Sequence, residues 1–197
     1  VRRANGGFLS EKGINIDMTP VKSGERYFYV WSHRKNIGTP LDTGSMLMIA
    51  EFDPVHPERL ISEPKCLSRP LYGFENTEHT INNEGPYAFY YNNKIYLAYS
   101  GGDARGYLYA IGMLTANDGD DLCDLSVWEK AKTPIASFAT IPGEYGPGHN
   151  SFFWDRDQNL WIAYHAVTSF EEKIVSSGMR RVYFEQDKTP RFDVIVE

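Results

Sequence analysis

The sequence predicts an all-β fold built from repeated four-stranded blades. Three observations point there. Short aromatic and β-branched runs recur, divided by Gly, Asn, Asp and Pro turns, with almost no helical periodicity. Aromatic residues make up 14% of the chain, which favours strands. Most tellingly, three segments match one another, and internal repetition of a β unit is the signature of a propeller.

The first repeat opens with Asp17-Met18-Thr19-Pro20-Val21, turns at Lys22-Ser23-Gly24-Glu25, and returns along Tyr27-Phe28-Tyr29-Val30-Trp31-Ser32. The second runs Glu84-Gly85-Pro86-Tyr87-Ala88-Phe89-Tyr90, turns at Tyr91-Asn92-Asn93-Lys94, and returns along Ile95-Tyr96-Leu97-Ala98-Tyr99-Ser100. The third runs His149-Asn150-Ser151-Phe152-Phe153-Trp154, turns at Asp155-Arg156-Asp157-Gln158, and returns along Leu160-Trp161-Ile162-Ala163-Tyr164-His165. Each is a hairpin with a polar turn. Third strands are expected at residues 46–52, 107–113 and 180–184, and fourth strands near 59–62, 126–130 and 191–196. The repeats then span approximately residues 17–65, 84–135 and 149–197 of one partial propeller covering 1–197, with residues 1–16 as an N-terminal edge. A β-sandwich is the alternative, though it would not need the repeat.

Bulk properties exclude several functions. The formal net charge of -6 gives no basic footprint for nucleic acid. No stretch approaches the roughly 18 apolar residues that a membrane span needs. Cys66 and Cys123 are the two cysteines and form no CxxC or Cys/His cluster, so zinc is not expected; a disulfide between them and two free thiols both remain open. The first residues, from Val1 to Gly7, lack an apolar signal region and an initiator Met, as expected of a chain processed or cut from something longer.

The repeat register points to a site. Asp17 lies 14 residues before Trp31, Glu84 lies 15 before Tyr99, and His149 lies 15 before Tyr164. A carboxylate, a second carboxylate and an imidazole thus hold near-equivalent positions on first strands, which in a propeller line the central channel. The Gly/Pro-rich loop Tyr145-Gly146-Pro147-Gly148 leads into His149 and can hold it close to neighbouring backbone. Convergent titratable groups in a concavity are the default candidate for an active site. The chemistry that suits two carboxyls at a channel mouth is glycoside hydrolysis, in which one acid protonates the leaving oxygen and one base activates water.

Asp17 in Ile16-Asp17-Met18-Thr19, Glu84-Gly85-Pro86, Ser68-Arg69-Pro70 and the loop Gly146-Pro147-Gly148-His149-Asn150-Ser151 together resemble glycoside hydrolase family 43 over nearly the whole chain. The resemblance implies a five-bladed propeller, here incomplete. It implies an inverting glycosidase for arabinose- or xylose-containing oligo- or polysaccharide, of α-L-arabinofuranosidase, β-xylosidase or arabinanase type. Glu84 matches the general acid. Asp17 matches the aspartate that orients it. His149 matches a histidine near a central calcium, reached through water. Arg180 matches an arginine near the substrate, with Arg181 competing. Phe74-Glu75 fills a position where relatives carry Trp-Glu by the sugar pocket. The family's general base belongs to a first blade for which no aspartate here can be assigned. The expected partners are therefore a carbohydrate and a preceding segment or second chain that completes the ring; an inactive or sugar-binding fragment is the alternative. An extracellular or periplasmic location follows from polysaccharide substrates, with cytoplasmic use on imported oligosaccharides left open. Trp31 and Tyr99 could be sugar platforms or inter-blade packing. Asn117-Asp118-Gly119-Asp120-Asp121 lacks EF-hand spacing and reads as a solvated turn.

Overall fold

The computed structural model describes residues 13–169, 171 and 174–193. The fold is all-β. The first sheet joins β1 (Gly13–Ser23), β2 (Arg26–Lys35), β3 (Met46–Glu51) and β4 (Lys65–Ser68) as an antiparallel meander in that order. A small hairpin of β5 (Asn76–Thr77) and β6 (Thr80–Ile81) follows a short 3-10 turn. The second sheet is a meander of β7 (Asn83–Tyr91), β8 (Lys94–Gly101), β9 (Ala110–Asn117) and β10 (Glu129–Lys130). The third sheet holds β11 (Tyr145–Trp154), β12 (Leu160–Val167) and β13 (Val175–Arg181), followed by a separate pair of β14 (Tyr183–Phe184) and β15 (Pro190–Arg191).

The hairpins predicted from sequence form as expected; the outer strands differ. The fourth strand of the first sheet is residues 65–68, not 59–62; Leu60 instead makes an isolated bridge to Phe52 and is buried there. In the third sheet the third strand is 175–181 rather than 180–184. Val175-Ser176-Ser177-Gly178 carries little strand signal, but Gly178 is needed there: a Cβ on it would sit 2.7 Å from Cζ of Tyr164 on β12. The Val182 N–H still reaches the Leu160 carbonyl at 2.8 Å, one step further along the ladder, and residues 183–184 then pair with 190–191. Residues 1–12 and 194–197, parts of the expected N-terminal edge and last strand, lie outside the described residues.

The sheets stack face to face as propeller blades do. Val21, Phe28, Val30, Leu47 and Ile49 of the first sheet meet Ile95, Leu97, Tyr99 and Leu114 of the second. The opposite face of the second sheet, with Phe89, Tyr96, Ala98, Ile111 and Met113, meets Phe152, Leu160, Ile162 and Tyr164 of the third. The second sheet is thus apolar on both faces, which is why β8 is buried at every position from Ile95 to Gly101. Among the described residues the three sheets form an open arc. Trp31 and Tyr99, the two candidate platforms, are 3% and 0% exposed and belong to packing. The acidic turn ties blades together: Asp118 accepts from the Gly24 N–H at 2.8 Å, and Asp121 pairs with Arg26 at 2.9 Å. Both cysteines are free thiols.

Candidate active site

The same irregularity interrupts the first strand of all three sheets. Asp17 and Met18 together oppose the single residue Trp31; Gly85 and Pro86 oppose Tyr99; His149 and Asn150 oppose Tyr164. These are β-bulges, which bend a strand and re-aim its side chains. The leading residue of each is left-handed, at φ 56 for Asp17, 57 for Gly85 and 50 for His149. A histidine in that region is uncommon, and such outliers cluster at functional sites. The register is therefore one residue from that read in the sequence. Gly85, not Glu84, is the true equivalent of Asp17 and His149, and Glu84 precedes the bulge at the level of Ile16 and Gly148.

β7 lies against both β1 and β11, so the three bulges meet. They wall a cleft of about 530 Å³ lined by Asp17, Met18, Gly85, Pro86, His149 and Asn150, among others. Asp17 accepts from the Gly85 N–H at 3.2 Å and from the Ser32 hydroxyl at 3.4 Å, which carries its carboxylate across to the second sheet. His149 is exposed, its Nε2 3.9 Å from the other Asp17 oxygen. Asn150 is buried, and neither polar atom of its amide has a partner among the described residues.

Glu84, half-buried, directs its carboxyl behind the bulge, where Oε1 accepts from the Tyr109 phenol at 2.8 Å. Burial, followed by the Glu84 charge, pushes the Tyr109 phenol well above its ordinary ionisation range; Asp17 acts on it in the same direction. One phenol thus lies within the field of both carboxylates. The Tyr109 ring stacks on His165 at 5.5 Å, and His165 faces His149 at 6.4 Å. Burial holds the His165 imidazole below its ordinary value, and the nearby His149 adds to that.

The glycines of the Gly-Pro-Gly-His loop now have a reason. A Cβ on Gly148 would lie 2.1 Å from Tyr109 Cε1, and one on Gly146 would lie 2.3 Å from the Gly106 carbonyl oxygen. The loop is glycine-rich so that residues 106–109 can press against it.

Other sequence-predicted residues lie elsewhere. Glu75 has no exposed surface. Its Oε1 meets Lys130 Nζ at 2.5 Å, the Tyr99 hydroxyl at 2.7 Å and Asn83 Nδ2 at 2.9 Å, while Oε2 accepts the N–H groups of Leu71 and Tyr72. With both oxygens engaged it has the placement of a buried anchor rather than of a sugar contact. Phe74 is half-buried against the core between the first two sheets. Arg180 donates from Nε to the Tyr164 hydroxyl and from Nη2 to Glu144, each at 2.8 Å. Both tyrosines opposite the bulges, Tyr99 and Tyr164, thus end on a glutamate paired with a cation. Around His149, no three His, Cys, Asp or Glu side chains converge among the described residues.

Sequence reasoning missed Ser32, Ser100, Tyr109 and His165. Ser32, Ser100 and His165 pair with Ile16, Glu84 and Gly148, one step from each bulge. Their signal was available: each directly follows the aromatic residue that ends its repeat's second strand.

Comparison with known proteins agrees with this architecture. The family model described as glycosyl hydrolases family 43 matches residues 5–190. The extracellular exo-alpha-(1->5)-L-arabinofuranosidase of Streptomyces chartreusis is 35% identical over 78% of this chain and 45% of that protein. Its namesake from Streptomyces avermitilis is 28% identical over 96% of this chain and 41% of that protein. The crystal structure of alpha-L-arabinofuranosidase from Lactobacillus brevis superposes with a TM-score of 0.77 at 29% identity, covering 91% of this chain and 55% of the other. The chain therefore spans less than half the length of these two curated relatives.

Proposed function

The chain belongs to glycosyl hydrolases family 43, and on that premise we propose that it forms part of an α-L-arabinofuranosidase acting on arabinose-containing oligo- or polysaccharide, with Glu84 as the general acid. The observation that carries the proposal is the convergence of three bulges on one cleft, with Asp17 and Glu84 both in the field of Tyr109. The relatives named above favour arabinose over xylose as the sugar released.

In the proposed mechanism the Glu84 carboxyl gives its proton to the glycosidic oxygen as the bond to the anomeric carbon breaks. Water adds to that carbon from the opposite face and loses a proton to a second carboxylate, which inverts the configuration. Asp17 is held by Gly85 N–H and Ser32 beside the acid, a placement that suits orienting it. The base is proposed to come from the longer polypeptide or from a partner chain that completes the ring. The two Streptomyces relatives are extracellular enzymes, which supports action outside the cell. Among the described residues, no helix is long and apolar enough to cross a membrane.

The test is hydrolysis of aryl α-L-arabinofuranoside and aryl β-D-xyloside by this polypeptide and by the longer protein containing it. Release from the arabinofuranoside, at a rate well above that from the xyloside, supports the proposal. Release from the xyloside alone would replace arabinose with xylose, and release from neither would leave a sugar-binding propeller as the better reading.

A further inference from the structure

We propose that Tyr109 is the positioning residue of Glu84, occupying Oε1 through its phenol so that Oε2 alone is left to carry the transferable proton. The inference rests on the reading of Glu84 as the acid and adds to it the atom that donates.

Hydrogen bonds link the third bulge to Glu84 through Ser100 and Tyr109. The His149 backbone N–H, which can only donate, reaches Ser100 Oγ at 2.8 Å. The Ser100 side chain is also a neighbour of the Tyr109 phenol. The Tyr109 hydrogen then goes to Glu84 Oε1 at 2.8 Å. A carboxylic acid whose Oε1 accepts a hydrogen bond holds its own proton on Oε2. Ser100 stands directly opposite Glu84 in the β7–β8 ladder, so the relay closes within one step of the bulge. Successive hydrogen bonds of this kind polarise and strengthen one another.

The tyrosine is also mechanically fixed. It has no exposed surface, its ring lies against Gly148 on one strand, and it stacks on His165 of the next. Burial and the adjacent carboxylate keep the phenol protonated, so it remains a donor across the working pH range. During the reaction the Oε2 proton passes to the glycosidic oxygen, the electron pair of the C–O bond stays with that oxygen, and the carboxylate left behind keeps the Tyr109 donor on Oε1. Water supplies the new oxygen on the sugar and gives its proton to the base. Tyr109 exchanges no proton and touches no sugar.

The contact is tested by NMR on protein carrying 13C at tyrosine Cζ, with the Tyr109 resonance assigned from Tyr109→Phe. The expected result is that this resonance moves with pH as Glu84 gains a proton, and that the movement vanishes in Glu84→Gln. A resonance that stays flat in the native sequence, or moves equally in Glu84→Gln, overturns the proposal. The consequence is tested kinetically in the longer protein. Tyr109→Phe should lower kcat about 10–100-fold on an oligosaccharide, whose leaving group needs the acid, with KM unchanged. On a 2,4-dinitrophenyl glycoside, which needs little protonation, the loss should be only about 2–3-fold. Ser100→Ala should follow the same pattern to a smaller extent. Equal losses on both substrates would indicate a merely structural tyrosine and overturn the proposal. If the longer protein hydrolyses neither substrate, the glycosidase reading fails, and the resonance titration by itself decides the place of Tyr109.

Discussion

Substituting Gly148 by Ala probes the contact on which the site is built. Gly148 does not have a positive φ, so the change brings no backbone strain; the cost is steric. The new Cβ would fall 2.1 Å from Cε1, 2.3 Å from Cδ1 and 3.0 Å from Cζ of Tyr109. Carbon atoms rest about 3.5–4.0 Å apart, so the ring must retreat by more than about 1 Å. His165 is stacked on the ring, and the hydroxyl is tied to Glu84. Overpacking costs about 1–3 kcal/mol, and losing a hydrogen bond to a charged group costs about 1.5–3 kcal/mol, giving about 2.5–6 kcal/mol if both occur. In a chain of this size that corresponds to a fall in thermal midpoint of about 5–24 °C, read by circular dichroism. Gly73→Ala is the control, because a Cβ there meets nothing within 4 Å, and it should change stability by less than about 0.5 kcal/mol. The double variant Gly148→Ala/Tyr109→Ala should be less destabilised than the sum of its parts, since the second change removes the clash. If Gly148→Ala unfolds at the same temperature as Gly73→Ala, the close packing of β11 on Tyr109 is wrong.

Two further outcomes are expected. Glu75→Ala removes the anchor that Lys130, Tyr99 and Asn83 share, leaving a buried ammonium unpaired; urea unfolding should show a loss of about 3–5 kcal/mol, and a loss below about 1 kcal/mol would contradict the burial of Glu75. His165 has a folded-state value below its ordinary 6.5, so the unfolded chain takes up the proton first. Its contribution to stability is intact above pH 6.5 and is lost as pH falls through the lowered value. Thermal midpoints measured downward from that pH should fall less steeply in His165→Gln, and parallel curves would refute the assignment.

Much of this architecture was legible in the sequence because blades repeat. Aligning Trp31, Tyr99 and Tyr164 located the hairpins and brought Asp17, Glu84 and His149 to one region. Counting residues could not show that each first strand carries a bulge, and a bulge shifts everything before it by one position. Glu84 was aligned with Asp17 because spacings of 15 and 14 residues were treated as equivalent; Gly85, 14 residues before Tyr99, holds the place of Asp17, and Glu84 sits one residue before the bulge. The outer strands were misplaced for a related reason: Val175-Ser176-Ser177-Gly178 is held in place by the Tyr164 ring above Gly178, a tertiary contact without a local signal. Glu75 and Arg180 were placed near a sugar by the family resemblance alone. Local sequence does not show that the Tyr99 hydroxyl ends on Glu75, or that Arg180 pairs with Glu144 beside the Tyr164 hydroxyl. Tyr109 escaped notice because it was read as an ordinary residue of a third strand at 107–113, whereas it stands in the connection just before β9.

The central claim is that Glu84 supplies the proton for cleavage. The direct measurement compares the longer protein with its Glu84→Gln variant, following both hydrolysis and binding of an arabinose-containing oligosaccharide. The account predicts a loss of about 10²–10⁴-fold in kcat with sugar affinity largely retained. Hydrolysis that survives in Glu84→Gln would contradict it.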